Sequence, residues 1–438
     1  MLSLLHSSYW VGNAAATQYL PAPAFKALQL ARLKSILAYA WKEVPLYREL
    51  WAKAGVDPSS IQSLSDLAKL PIPNRKSIEE NPRDIVARRY LHVFDEGTGY
   101  IRMSGGSSGG KQLLVHSDPD SWTRLDGFYY RAFGALGYRP WTPLVYFWSA
   151  PFKRRTHNVL GIMPKIGVPA HLDEESQLLL LEQNPGAWWY YHPTSLFPLV
   201  RMFPERMRAT APDRVIVHAE LCTQSMKATI EDVMQRPVYD QYGTSEYNRM
   251  AWQCSAHQGY HVDADSVIME LLDDDNRPVK PGEIGRAVVT GLINRMMPLI
   301  RYELGDLLVA SDRRCSCGRT LPMIERVEGR MKDVLTLPGG GRRTPREQLE
   351  PFGRIAGLDL FRLTINAPDR AELDIVTRES DTSAIEAECR KRFGEACPGV
   401  RLDVKRVDTI EKAPTGKRVL LRNRINMSSA GARPVFTA

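Results

Sequence analysis

The sequence predicts an α/β protein with a large N-terminal mixed-sheet α/β domain that carries a β subdomain, followed by a small C-terminal α+β domain. Two patterns lead to this class. Over residues 102–310, short apolar runs alternate with segments of helical periodicity, as in a sheet covered by helices. After residue 333 the order becomes strand, glycine-rich turn, helix and strand, which suits a small separate domain. We therefore expect domains at 1–331 and 332–438, with the boundary at Lys332.

The individual elements are predicted from local patterns along the chain. Apolar residues recur at helical spacing over 24–41, and Pro71, Pro73 and Pro82 interrupt the helical region that fills the first hundred residues. The same reasoning predicts strands at 144–148, 214–217, 334–337, 361–365, 371–376 and 401–407, helices at 223–235 and 383–393, and a turn leading into a strand at 282–291.

Composition narrows the class of protein. The net charge is +8, but the basic residues are interleaved with 50 acidic ones, so no nucleic-acid partner is predicted. No run approaches the roughly 18 apolar residues that a membrane span needs, and residues 1–20 lack the basic and apolar segments of a signal peptide. Six cysteines in 438 residues do not indicate a disulfide scaffold. We expect a cytoplasmic protein.

A glycine- and serine-rich segment is the first candidate binding element. Residues 103–111 read Met-Ser-Gly-Gly-Ser-Ser-Gly-Gly-Lys. Backbone amides in such a loop can form an anion-binding nest, although the same composition is typical of a plain linker. The segment does not match the G-x-x-x-x-G-K-[ST] fingerprint, because Gln112 comes after Lys111, and it is not a clean G-x-G-x-x-G. The choice between a binding loop and a linker therefore depends on the residues downstream of it.

Four short segments lie downstream of this loop. Residues 239–246 read Tyr-Asp-Gln-Tyr-Gly-Thr-Ser-Glu and predict a glycine-containing turn whose carboxylate can hold Mg²⁺. Residues 298–306 predict an apolar strand ending on a turn with Asp306, placed to accept hydrogen bonds from ribose hydroxyls. Residues 328–333 lie at the domain boundary, and residues 414–418 place Lys417 on a turn. Each segment alone also occurs in turns of unrelated proteins.

In this order and spacing, the segments resemble the adenylate-forming superfamily of acyl-CoA synthetases, luciferases and peptide-synthetase adenylation domains, most closely its phenylacetate-CoA ligase-like branch. The resemblance spans nearly the whole chain, as far as Lys417. It implies an AMP-forming acid–thiol ligase that activates a carboxylic acid, expected to be aromatic, as an acyl-adenylate. Transfer to coenzyme A would then give a thioester. ATP, Mg²⁺ and coenzyme A are the implied cofactors and co-substrate, and a monomer or homodimer is expected.

Two alternatives remain open. The acyl group can instead pass to an amine or to the pantetheine thiol of a carrier protein, as in the biosynthesis of specialised metabolites. The basic clusters at 153–155 and 342–343 suit either the phosphates of coenzyme A or an acidic carrier protein. A more remote alternative is a catalytically inactive, zinc-containing ligand-binding protein.

The resemblance implies roles for individual residues. Lys417 would bridge the carboxylate and the α-phosphate, Thr244 would contact the α-phosphate, and Glu246 would bind Mg²⁺. Rotation of a mobile C-terminal domain is expected at a hinge at Lys332. The implied nucleotide site consists of Ser104, Gly105, Gly106, Ser107, Ser108, Gly109, Tyr242, Gly243, Asp306 and Arg330. The implied acyl pocket contains Trp148, Ser149, Glu220 and Tyr239, close to the aromatic run at 188–192.

The chain departs from the family pattern at two places. The family loop usually carries a proline after its last glycines, whereas this chain has Gly110 and Lys111, so the backbone cradle of residues 105–109 is the firmer expectation. The second departure is at His218-Ala219-Glu220, where the carboxylate is retained but the usual neighbouring glycine is replaced by Ala219.

Cysteine and histidine spacing indicates a separate metal site. Cys254, His257 and His261 form one cluster, and Cys315 and Cys317 form another about fifty residues later. Three thiolates and one imidazole suit a tetrahedral Zn²⁺, although unliganded buried cysteines are common. Similar clusters bind zinc in phenylacetate-CoA ligase-like relatives, where the histidine after a Gly-Tyr pair matches His261 and leaves His257 as the competing ligand. With four protein ligands, the metal would be structural.

Overall fold

The structure is a computed structural model that describes residues 2–103, 113–148, 161–413 and 416–425. The helices, numbered along the chain, are α1 (Leu2–Thr17), α2 (Ala22–Glu43), α3 (Pro45–Lys53), α4 (Arg75–Glu80), α5 (Leu91–Asp95), α6 (Pro119–Ala135), α7 (Glu174–Glu182), α8 (Pro193–Met202), α9 (Pro204–Thr210), α10 (Gln224–Met234), α11 (Pro345–Leu349) and α12 (Ser383–Ala396). No helix in the described ranges is both long enough and apolar enough to cross a membrane.

Nineteen strands accompany these helices in the described part of the chain. They are β1 (Tyr100–Met103), β2 (Leu114–Ser117), β3 (Leu144–Trp148), β4 (Lys165–Pro169), β5 (Trp188–Tyr191), β6 (Val215–His218), β7 (Val238–Thr244), β8 (Asn248–Trp252), β9 (Tyr260–Val262), β10 (Val267–Leu272), β11 (Ile284–Gly291), β12 (Tyr302–Ser311), β13 (Met323–Arg330), β14 (Leu335–Thr336), β15 (Arg342–Arg343), β16 (Leu360–Ala367), β17 (Arg370–Val376), β18 (Arg401–Arg406) and β19 (Leu421–Asn423).

The chain divides into two compact units. The first comprises Met1–Gly137 and Tyr242–Arg326. Its helical part contains α2, which buries Phe25, Leu33 and Ile36 on one face, at the helical spacing that the sequence predicts. Its sheet part is antiparallel: β11 pairs with both β10 and β12, and β9 pairs with both β8 and β13.

The second unit comprises Tyr138–Gln241 and Val327–Ala438. Its parallel strands lie in the order β7, β6, β5, β3 and β4. Thr223 caps the amino end of α10 by accepting from the Met226 amide, which explains why the predicted helix begins there. Toward the carboxyl terminus, a four-stranded sheet in the order β18, β17, β16 and β19 accompanies α12, as the α+β pattern predicts.

The two sequence segments of the second unit share one apolar core. Leu199 and Met226 from the earlier segment belong to the same buried cluster as Phe352 and Phe361 from the later one. The Glu350 carboxylate also accepts hydrogen bonds from the amides at the start of α10. The domain boundary at Lys332 stays a prediction; the residue itself lies in a single 3₁₀ turn, Met331–Asp333.

The turn predicted at 239–246 is shorter in the structure, and the turn predicted at Asp306 is wrong. Residues 238–244 form strand β7, and the turn covers residues 245–247, which include Glu246. Close packing requires glycine at position 243, because a Cβ atom there would lie 2.5 Å from the Asn248 carbonyl oxygen. Asp306 lies within β12 instead of on a turn after a strand. The register of β11 and β12 shifts beside it, and Gly305 has a φ of 74°, which marks a bulge.

Candidate functional site

Several polar side chains lie at the carboxyl ends of the parallel strands of the second unit. His192 comes directly after β5, His218 ends β6, and Gln241 lies opposite His218 in the register of β6 and β7. Ligands of open α/β sheets bind at this edge. The sequence placed His192 in the aromatic run beside the predicted acyl pocket and gave no role to Gln241. His218 directly follows the predicted strand at 214–217, and this position was a signal for a functional residue.

Lys417 lies in the same unit and is positioned by the glycine before it. Gly416 has a φ of 77°, and a Cβ atom on it would lie 2.0 Å from the Cβ of Ala170. Only glycine fits this conformation and this close approach. The turn closes through hydrogen bonds between Ala413 and both Gly416 and Lys417. The turn thereby fixes the backbone from which the Lys417 side chain extends.

The Lys417 ammonium donates a hydrogen bond to the Ala219 carbonyl oxygen at 3.0 Å. Burial lowers its pKa, the Glu220 carboxylate opposes this shift, and Arg330 adds to it. Burial raises the pKa of Glu220, against the charge of Lys417. One oxygen of Glu220 accepts hydrogen bonds from the amide and hydroxyl of Thr194. A lysine, an arginine and a carboxylate therefore meet in one partly buried place.

Ala219 has a φ of 66°, in the left-handed region, where an alanine is strained. This is the position at which the family pattern has a glycine. Replacing Ala219 by glycine should raise the free energy of unfolding by about 0.5–1 kcal/mol, because relief of the Cβ strain exceeds the entropic cost of glycine. Denaturant titration with tryptophan fluorescence measures this change.

Ala211→Gly is a matched control, since Ala211 has a φ of −54°. There the same substitution should lower the free energy of unfolding by about 0.5–1 kcal/mol. A loss of stability in both variants would contradict the assignment of strain to Ala219.

A second group lies in the first unit, at the end of β7. The Tyr242 hydroxyl donates to the Asp306 carboxylate at 2.7 Å, so two residues of the predicted nucleotide site are in contact. Both residues are buried. The bulge in β12 turns Asp306 toward this contact, which a regular strand register would not provide.

Thr244 and Glu246 come next on the same segment. The Thr244 hydroxyl is buried and has no hydrogen-bond partner among the described residues. A buried hydroxyl without a hydrogen-bond partner destabilises the folded state unless a ligand supplies the missing hydrogen bond. Glu246 is 8% exposed. Burial lowers the pKa of Arg102 to about 10, and the negative charges of Asp126 and Glu246 oppose this shift. A buried carboxylate suits a divalent cation that prefers oxygen ligands.

The predicted phosphate-binding loop, 104–109, lies outside the described residues, as do Lys111 and Ser149. Trp148 ends β3, but its side chain is also outside the described parts. Met103, the last described residue before the loop, accepts a hydrogen bond from the Ser245 hydroxyl at 2.5 Å through its carbonyl oxygen. Met103 therefore lies beside the segment that carries Thr244 and Glu246.

The remaining predicted residues lie in the second unit. Tyr239 is buried in the middle of β7. Arg330 ends β13, immediately before the turn that contains Lys332. Burial raises the pKa of Asp333, and the positive charges of Lys332 and Arg330 oppose this rise. The positive charge of Arg330 also lowers the pKa of Lys417, whereas Glu220 raises it.

Four predicted metal ligands form a compact cluster in the first unit. The sulfur atoms of Cys254 and Cys315 are 3.6 Å apart, and Cys317 Sγ is 3.3 Å from His261 Nε2. All four ligand atoms lie within 4.8 Å of one another. Tetrahedral Zn–S bonds of about 2.3 Å separate two sulfur atoms by about 3.8 Å, so the donor set fits Zn²⁺. His257 is exposed and lies outside this group of described residues.

Comparisons with known proteins bear on the fold class and on the predicted resemblance. No protein-family model matches the chain. A phenylacetate-coenzyme A ligase of Thermus thermophilus is 27% identical over 354 residues, 73% of each chain. One of Escherichia coli is 28% identical over 335 residues, 72% of this chain and 73% of the relative. The structure of a 2-hydroxyisobutyryl-CoA ligase with R3-HIB-AMP superposes with a TM-score of 0.77 at 21% identity, covering 94% of this chain and 92% of that one. These findings confirm the predicted fold class and the predicted resemblance.

Proposed function

We propose that this chain, a sequence relative of the phenylacetate-CoA ligases with the fold of adenylate-forming CoA ligases, is an AMP-forming acid–thiol ligase. It activates a carboxylic acid with ATP and transfers the acyl group to coenzyme A. One observation carries the proposal beyond similarity. The Lys417 ammonium is fixed on a glycine turn against the Ala219 carbonyl and beside Glu220, in the unit whose parallel strands end in polar side chains.

In the first step, a carboxylate oxygen attacks the α-phosphorus of ATP and pyrophosphate departs. Charge grows on the oxygens around that phosphorus, so positioned cations and donors lower the barrier. We assign this stabilisation to the ammonium of Lys417 and the hydroxyl of Thr244. Mg²⁺ bound by Glu246 would neutralise charge on the departing pyrophosphate.

The nucleotide is held by the second group. Asp306, oriented by the Tyr242 hydroxyl, is suited to accept hydrogen bonds from ribose hydroxyls. Arg330 and the backbone of residues 104–109 complete the proposed nucleotide site. Gly243 allows close approach in this strand, since no side chain fits between it and Asn248. These assignments agree with the residue roles that the resemblance implies.

In the second step, the thiol of coenzyme A attacks the acyl carbonyl and AMP leaves with the former carboxylate oxygen. The two steps require different surroundings of the acyl group. We propose that a C-terminal domain of residues 332–438 rotates at Lys332 after adenylation, which breaks its apolar contacts with residues 138–241 and withdraws Lys417. A cytoplasmic location suits a ligase that consumes ATP and coenzyme A.

Acid-dependent pyrophosphate release tests the activity. The assay uses a panel of aryl and alkyl acids with ATP and Mg²⁺, and then coenzyme A, hydroxylamine or a phosphopantetheinylated carrier protein as acceptor. We expect release with at least one acid and a thioester with coenzyme A. Product only with the amine or the carrier protein would favour the alternative acceptors. ATP binding without release for any acid would favour an inactive binding protein.

We propose a structural zinc ion for the cluster of Cys254, His261, Cys315 and Cys317. Protein purified without chelators should contain about one equivalent of zinc, because the site has four protein ligands and no open position. Cys317→Ser should lower both the zinc content and the melting temperature. Elemental analysis and thermal denaturation measure the two quantities.

Cys389→Ser serves as the control, since Cys389 is a buried thiol outside the cluster. It should leave the zinc content unchanged. Less than a few tenths of an equivalent of zinc in the unmodified protein would defeat the proposal. The oligomeric state, proposed as monomer or homodimer, is measured on the same preparation by light scattering.

A further inference from the structure

A row of stacked rings lines one face of the parallel sheet in the second unit. Tyr146 on β3 stacks on Tyr190 on β5, with ring centroids 5.1 Å apart. Tyr190 in turn stacks on His218 of β6, at 3.6 Å and 14° between planes. The Tyr190 hydroxyl donates to Oε1 of Gln241 at 3.4 Å, on β7, which lies on the other side of β6. These four residues occupy neighbouring strands and form one continuous surface.

The polar end of this row is incomplete. Gln241 Nε2 and His218 Nε2 are buried and have no hydrogen-bond partner in the described part of the chain. The two residues are paired in register on adjacent strands, whose spacing is about 4.8 Å. Buried polar groups without hydrogen-bond partners destabilise the folded state. Their pairing on one face indicates that a ligand group completes them.

The neighbouring groups define the charge of that ligand group. Burial lowers the pKa of His218 well below its usual value, and the charges of His192 and Lys417 add to this shift. The pKa of His192 is lowered in the same way by burial and by Lys417. Both imidazoles are therefore neutral near pH 7 and do not suit an anionic group of the acid other than its carboxylate. The charged end of the acid is instead matched by Lys417.

The chemistry of the two atoms selects a hydroxyl group. A neutral imidazole nitrogen either donates or accepts, and a side-chain amide offers a donor or an acceptor according to its orientation. A hydroxyl accepts from Gln241 Nε2 and either accepts from or donates to His218 Nε2, so it satisfies the pair in both tautomers of His218. A carbonyl oxygen satisfies the pair in one tautomer only, and a methyl group in neither. The rings beside these atoms stack face to face, so the row presents ring edges, against which an aromatic ring can pack edge to face.

We infer that the acid is a hydroxylated aromatic carboxylic acid, with its ring against the Tyr146–Tyr190 surface and its ring hydroxyl bound by His218 and Gln241. This inference rests on the proposed function and specifies its substrate class. His218 and Gln241 are then the residues that determine specificity. An acid without the hydroxyl leaves both polar atoms unsatisfied. A site that hydrogen-bonds a substrate hydroxyl discriminates most strongly against analogues that lack it.

The test compares kcat/KM for pyrophosphate release between hydroxylated acids and their parents. The panel contains the three positional isomers of hydroxybenzoate and of hydroxyphenylacetate, each set against benzoate or phenylacetate. We expect one hydroxylated acid to exceed its parent by about 100-fold or more. If the parent acids have kcat/KM values as high as those of every hydroxylated acid, the inference is overturned and the proposed function stands. No release with any acid would overturn both.

Gln241→Leu separates recognition of the hydroxyl from general damage. It should lower the ratio of the two kcat/KM values at least about tenfold, mainly by slowing the hydroxylated acid. The control is Gln177→Leu, because Gln177 is also buried and accepts from a tyrosine of β5, Tyr191, at 2.8 Å. That variant should keep the ratio unchanged, since a ratio does not depend on the fraction of folded enzyme. An unchanged ratio in Gln241→Leu would overturn the inference.

Discussion

Replacing Lys417 by alanine should slow acyl-adenylate formation by about 10²–10³-fold, because one preorganised donor to developing charge is lost. The reaction of supplied acyl-adenylate with coenzyme A should be retained, since Lys417 is assigned to the first step alone. Single-turnover measurement of adenylate formation and a separate thioester assay distinguish the two steps. Unchanged adenylate formation would refute the role of Lys417.

Lys412→Ala is the matched control for this variant. Lys412 lies in the same unit, donates to the Leu172 carbonyl oxygen and is 3.5 Å from the Glu174 carboxylate. Its contacts are those of a structural ion pair. Adenylate formation in Lys412→Ala should therefore stay within a few-fold of the unmodified enzyme. A similar loss in both variants would point to general disruption of the C-terminal segment instead of chemistry at Lys417.

Replacing Arg131 by methionine should lower the free energy of unfolding by about 3–5 kcal/mol, because the buried Asp265 loses its salt-bridge partner and the buried Asp263 keeps only Arg249. Arg131, Asp263 and Asp265 have fully buried side chains. The guanidinium donates to Asp265 through two nitrogen atoms, at 2.9 and 2.8 Å. Burial alone would lower the pKa of Arg131, but attraction to the two aspartates outweighs it and raises the pKa.

Arg206→Met is the control for stability, since Arg206 also contacts two carboxylates but is 37% exposed. Exposed ion pairs contribute at most about 1 kcal/mol. Denaturant titrations of both variants provide the comparison. A loss below about 1 kcal/mol in Arg131→Met would show that the buried network is not required for folding.

Local patterns were sufficient to predict many elements of the fold. The apolar run of β3 gave a strand with the observed bounds, and the helix predicted from residue 223 begins after the Thr223 cap. The metal cluster was also predictable, because cysteine and histidine spacing limits the possible geometries. Its four residues meet although their two clusters lie far apart in sequence.

Other features depend on tertiary structure and could not be read from the sequence. Strand β7 contains Asp240 and Gln241, polar residues that are buried within the sheet, so no apolar run marks it. The position of Asp306 depends on a bulge whose register only the pairing with β11 defines. The pairing of His218 with Gln241 likewise arises from strand order, since 22 other residues lie between them in sequence.

Transfer of ¹⁸O from the carboxylate of the acid to AMP tests the proposed acyl-adenylate most directly. An acid that supports turnover is labelled with ¹⁸O in its carboxylate and converted with ATP and coenzyme A, and the products are analysed by mass spectrometry. We predict one ¹⁸O atom in the phosphate of AMP and none in pyrophosphate, because the attacking carboxylate oxygen leaves with AMP. Unlabelled AMP, or ¹⁸O in pyrophosphate or inorganic phosphate, would contradict activation through an acyl-adenylate.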